Sequence, residues 1–228
     1  MLSRRGLLTS GLTLTAGSAL AACAAPASRA ASASPPGSAP PGGDPPLLMV
    51  IRHAEKPPSS GAPHGVLPSG EQDDESLTTT GWARAGALVG LFDPVDAEGP
   101  AALRAGLSRP AALVAADPAH GSRRPFQTVS PLAARLGLDV QTSFAKGQEA
   151  ALASSLRDVR TPTLVAWEHQ AIPDVVAGLG PVAPAPPPRW PDDRFDLVWC
   201  FSRTDDRSGW SFGQVPQLLL AGDSADLP

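Results

Sequence analysis

Three short, uninterrupted apolar runs, each closed by polar residues, constrain this chain more than any other feature. Residues 47–51 (LLMVI) lead into Arg52-His53, residues 111–116 (AALVAA) into Asp117, and residues 163–167 (TLVAW) into Glu168-His169. A short apolar run without alternation fits a strand buried on both faces. Such strands belong to parallel sheets covered by helices on either side. The segments between them have the other period. Residues 79–92 place Trp82, Ala85, Leu88, Val89 and Phe92 at helical spacing, and residues 124–136 do the same with Phe126, Val129, Leu132, Ala133 and Leu136. Residues 148–156 and 172–179 read as further helices, and 139–144 as a strand. Residues 195–202 and 210–220 read as an edge hairpin around the turn RTDDRSG. The proline-rich stretch 181–193 reads as a loop. This alternation predicts an α/β domain: a three-layer sandwich with a central, largely parallel sheet flanked by helices.

The domain does not use the whole chain. Residues 1–22 begin with Arg4-Arg5 and continue uncharged to Leu20-Ala21-Ala22-Cys23. That is the form of an export signal, with a twin-arginine-like start and a bacterial lipoprotein cleavage box in which Cys23 would take the lipid. Residues 23–46 are Ala, Ser, Pro and Gly with almost no large apolar side chains. They cannot bury a core and read as a disordered tether between a membrane anchor and a domain at 47–228. Cys200, the second of two cysteines, lies in the apolar run LVWCF and reads as a buried, inert thiol. The net charge of −4 comes without a basic stripe, which argues against nucleic acid as a partner.

In a parallel sheet, sites form at the carboxyl ends of the strands. Here those ends deliver Arg52-His53 and Glu168-His169, while the loop after 111–116 leads to Arg123-Arg124 at a helix start. Two imidazoles and at least one guanidinium around one crevice would suit an anion, most naturally phosphate. A neutral imidazole can attack phosphorus while a second donates to the oxyanions. No Asp/His cluster has metal-ligand spacing, and no cofactor is expected.

These residues resemble motifs of the histidine phosphatase (phosphoglycerate-mutase-like) superfamily. Arg52-His53-Ala54-Glu55 is similar to its R-H-G/A-E opening, Leu77-Thr78-Thr79-Thr80-Gly81 to its L-T-x-x-G helix entry, Arg124-Pro125-Phe126-Gln127-Thr128 to R-A-x-Q-T, and Val165-Ala166-Trp167-Glu168-His169 to the strand that brings the second histidine. The resemblance implies a phosphoglycerate-mutase-like fold and a metal-independent phosphatase of a small phosphomonoester or phosphoramidate, which the export signal would place outside the cytoplasm. His53 would carry a phosphohistidine, Arg52 and Arg124 would grip the phosphoryl oxygens, and His169 would complete the pocket. The general acid stays open between Glu149, Glu168 and none. Without one, the alternative is a non-catalytic phospholigand-binding lipoprotein that retains the pocket. Substrate choice would fall to loops 57–76 and 181–194. Of the remaining groups, Arg123, His64 and the Asp73-Asp74-Glu75 run read as solvated or rim residues, and His120 as a residue near the pocket mouth.

Overall fold

The computed structural model describes residues 47–228; the expected signal, its Cys23 and the tether lie outside the described residues. The chain runs β1 (Leu48–Arg52), α1 (Thr79–Phe92), a small hairpin of β2 (Val95–Asp96) and β3 (Gly99–Pro100), β4 (Ala112–Ala115), α2 (Arg124–Leu136), β5 (Val140–Gln141), α3 (Glu149–Leu156), β6 (Thr163–Trp167), α4 (Ile172–Ala177), β7 (Val182–Ala183), β8 (Leu197–Arg203) and β9 (Trp210–Pro216). Seven of the strands form one sheet in the order β5-β4-β6-β1-β8-β9-β7. The three apolar runs lie side by side as β4, β6 and β1, all parallel. The sheet is therefore largely parallel, with helices on both faces, as the alternation predicts. No helix among the described residues is long and apolar enough to cross a membrane.

Side-chain alternation along the strands divides the core in two. Leu48 and Val50 of β1, Val165 and Trp167 of β6, and Trp199 and Phe201 of β8 face α3 and α4, where Leu152, Leu156, Ile172 and Val175 cover them. Met49 and Ile51, Leu164 and Ala166, and Val198 and Cys200 face α1 and α2, against Leu88, Phe92, Val129 and Leu132. Buried at the centre of the second layer, Cys200 has a thiol pKa raised by desolvation. Trp167, Trp190, Trp199 and Trp210 are all fully buried.

Two expectations are revised. β5 keeps only two residues of the 139–144 stretch. The closing strands do form an antiparallel hairpin, β8 with β9, but β8 pairs with β1 inside the sheet. The edge position belongs to β7, which rises from the proline-rich stretch and pairs parallel with β9. Its two residues sit between Pro181 and Pro184, and such an edge tolerates flanking prolines.

Local chemistry fixes the helices that carry the site. Thr78 caps α1 by accepting from the Gly81 N–H at 3.2 Å. A side chain at Gly81 would put its Cβ 2.5 Å from the Glu55 carbonyl, so only glycine lets α1 approach the segment after β1. Pro125 stands at the start of α2, and Gly137 ends it in the left-handed conformation at φ 67°.

Candidate active site

Because β1 and β6 pair in register with Arg52 beside Trp167, their carboxyl ends finish together. The His53 N–H adds one more rung, donating to the Trp167 carbonyl at 3.0 Å. The rings of His53 and His169 consequently meet edge to face with centroids 6.2 Å apart. Across from them, the loop after β4 brings Gly121, Ser122 and the first residue of α2. Together these segments enclose an open cleft of about 440 Å³, lined by His53, Lys56, Glu75, Ser122, Arg124, Lys146, Glu168, His169 and Gln170 among others.

The Gln-Thr pair of α2 works as a clamp on this arrangement. Thr128 Oγ1 accepts from the Ala54 N–H at 2.8 Å and donates to the Arg124 carbonyl at 2.7 Å. Gln127 Oε1 accepts from the Leu77 N–H while its Nε2 donates to Ser76 Oγ. The residues that follow β1 and those that precede α1 are thus both fastened to the helix that supplies Arg124.

His53 is 2% exposed. Its Nδ1 lies 2.7 Å from the Ala54 carbonyl. A carbonyl can only accept, so Nδ1 carries the proton and Nε2 holds the free lone pair. Burial, followed by the charges of Arg52 and Arg124, drives the His53 pKa down to about 3, against the pull of the Ala54 carbonyl. The ring is therefore neutral at physiological pH, with one unprotonated nitrogen. His169 is also shifted downward, first by burial and then by Arg52, with Asp192 opposing. Its Nε2 lies 3.0 Å from Asp192 Oδ1, and its Nδ1 is buried without a partner.

The two arginines differ. Arg124 lines the cleft, held by the Asp74 carbonyl at 2.7 Å and by Glu75, with its Nε buried and unpartnered. Arg52 does not line the cleft. Its side chain packs on Phe195, whose ring also lies 6.3 Å from that of His53. There it donates to the carbonyls of Asp192 and Arg194 and lies over the Phe195 ring at 3.7 Å. At 2% exposure it is buried enough for desolvation to lower its pKa to about 10, and it acts on both histidines through its charge.

The remaining sequence candidates spread out. Glu168 lines the cleft beside His169, although strand alternation would have separated them. β6 ends at Trp167, and the chain turns, with the Ala171 N–H returning to the Glu168 carbonyl. Glu168 is ion-paired with Lys146. Glu149 is not in the cleft; it accepts from the Trp167 indole at 3.1 Å and from the Gly147 N–H. Arg123 pairs with Asp73 on the surface, and His120 bonds Asp117. The acidic run 73–75 is more than a solvated turn: Asp73 accepts from Ser76 and Arg123, and its neighbours hold Arg124. Sequence reasoning missed Lys56, Glu75, Ser122, Lys146 and Gln170 in the wall and Asp192 on His169. Lys56 and Gln170 stand beside histidine motifs and could have been found by proximity; Lys146 and Asp192 carry no local signal.

A cleft with a neutral, oriented imidazole and positive side chains suits nucleophilic attack on an anionic centre. No protein-family profile matches the chain, and no curated protein matches it. Among solved structures, it is similar to a mycobacterial glucosyl-3-phosphoglycerate phosphatase in complex with VO3, at 15% identity and a TM-score of 0.38, over 72% of this chain and 95% of that one.

Proposed function

We propose that the 47–228 domain is a histidine-type phosphatase that hydrolyses a small phosphomonoester or phosphoramidate through a phosphohistidine at His53. The observation that carries this reading is the His53–Ala54 contact, which fixes the tautomer and leaves Nε2 as the nucleophile inside a cationic cleft. In the first step Nε2 bonds to phosphorus as the bond to the leaving oxygen breaks. In the second, water attacks phosphorus and the electron pair returns to Nε2. Arg124 and His169 meet the phosphoryl oxygens. Arg52 contributes through its buried charge and holds the loop beneath. These charges, rather than a metal, balance the phosphate, so turnover is expected to persist in chelator. The polar wall of Lys56, Ser122, Lys146 and Gln170 fits a hydrophilic leaving group. The lipobox, the tether and the resulting position on the outer face of the cell membrane belong to this reading on the strength of residues 1–46 alone.

The test is hydrolysis of a panel of phosphomonoesters and phosphoramidates by the wild-type chain and His53→Ala. Labelled phosphate is expected on the wild type only, in an acid-labile form. Equal turnover by the variant sinks the proposal. A second reading, a binding protein that holds phosphate without turning it over, is favoured by one observation. The candidate acids read from the sequence are compromised: Glu149 lies outside the cleft, and Glu168 is tied to Lys146. Phosphate binding without turnover on any substrate would support it.

A further inference from the structure

A phosphatase acting on an unactivated ester needs a proton for the departing oxygen. The carboxylates around the cleft are not equally able to supply one. Glu75 is paired with Arg124, and Glu168 with Lys146. Both carboxylates are thus engaged by cations of the cleft wall. Asp192 differs. Its only ion-pair contact among the described residues is His169, whose neutral form is favoured by burial, and the Arg52 guanidinium bonds its main-chain carbonyl rather than its carboxylate. Its side chain is 89% exposed, so it can exchange protons with water between turnovers.

The backbone at Asp192 is well held. Arg52 donates to the carbonyls of Asp192 and Arg194 from below. The buried Trp190 donates to the Arg194 carbonyl at 2.7 Å, and Arg194 in turn is clamped by Asp196 at 2.6 Å. The carboxylate therefore projects from a fixed stretch of chain, one hydrogen bond from a cleft residue.

Resting on the phosphohistidine reading above, we propose that Asp192 is the proton donor to the leaving-group oxygen. As His53 Nε2 bonds to phosphorus and the ester P–O bond breaks, the Asp192 proton passes to the departing oxygen and the alcohol leaves neutral. The resulting carboxylate then takes a proton from the water that attacks the phosphohistidine. The P–N bond breaks, its electrons return to Nε2, and phosphate leaves with Asp192 protonated again. One residue serves as acid and then as base, and no other reactant is needed.

The leaving group reports on this role. kcat/KM is measured for the full chain and for Asp192→Asn, Asp193→Asn and His53→Ala on an alkyl phosphate, phenyl phosphate and p-nitrophenyl phosphate. Asp192→Asn is expected to lose about 100-fold or more on the alkyl ester and progressively less as the leaving group becomes a better anion. Asp193→Asn, changed at the neighbouring carboxylate, is expected to follow the wild type on all three. A loss in Asp192→Asn of equal size on every substrate would make it a positioning residue for His169 and overturn the proposal. No loss on the alkyl ester would overturn it as well. Turnover that survives in His53→Ala marks the failure of the phosphohistidine reading instead, whatever slope the Asp192 variant shows.

Discussion

Replacing Thr128 with valine tests the claim that α2 positions the nucleophile through Ala54. The change keeps the side-chain shape and removes only the hydroxyl. Thr128 and Ala54 are both completely buried, so water cannot take the hydroxyl's place. The Ala54 N–H, now 2.8 Å from Thr128 Oγ1, would be left without an acceptor. A buried donor without a partner costs about 1–3 kcal/mol. The lost bond to the Arg124 carbonyl adds little, because a hydroxyl bonding back within a helix contributes little to stability. We expect a loss of about 2 kcal/mol, which for a domain of this size lowers Tm by roughly 4–8 °C. Thr128→Ser keeps the hydroxyl and loses one methyl group, for about 0.8 kcal/mol. Because the Ala54 carbonyl sets the His53 tautomer, kcat in the valine variant should also fall, by about tenfold, with KM little changed. Calorimetry and initial rates on both variants decide the matter. A valine variant that melts within about 1 °C of wild type, or a serine variant as damaged as the valine one, would refute the argument.

Two further outcomes follow from the same geometry. The pKa of His53 drops from 6.5 to about 3 on folding, chiefly through burial. Between those values the unfolded chain binds a proton that the folded chain excludes. Stability should therefore fall as pH drops through this window, by about 2–3 kcal/mol between pH 6.5 and roughly 4.5, and urea unfolding of His53→Asn should show a correspondingly shallower slope. Gly81→Ala would press its Cβ against the Glu55 carbonyl, whereas Gly90→Ala in the same helix meets nothing within 4 Å. The first should cost about 1–3 kcal/mol and the second add about 0.5–1 kcal/mol, a contrast that denaturant midpoints would show directly.

The sheet was legible because its central strands are apolar on both faces and its helices keep a clear period. β7 was not, since two residues between prolines carry no periodic signal and exist as a strand only because β9 offers a free edge. At the site, strand ends announced His53 and His169, and the helix start announced Arg124. Direction was harder to read. Arg52 and His53 are adjacent, yet His53 lines the cleft while Arg52 turns to the carbonyls of 192 and 194, a difference that a motif read as a unit conceals. Glu168 and His169 both line the cleft because β6 has ended at Trp167 and the chain turns there. Asp192 could not have been found from sequence, since its closeness to His169 depends on how residues 190–196 fold back over Arg52.

The grip of Arg52 on that segment has a practical side. It holds main-chain oxygens at 192 and 194, which every amino acid possesses. Side chains at 192 and 193 can therefore be exchanged without loosening the mount on which they stand. A change of side chain at 192 therefore alters the chemistry presented beside His169 while the mount keeps its shape, so a variant there reports on the carboxylate and not on the fold.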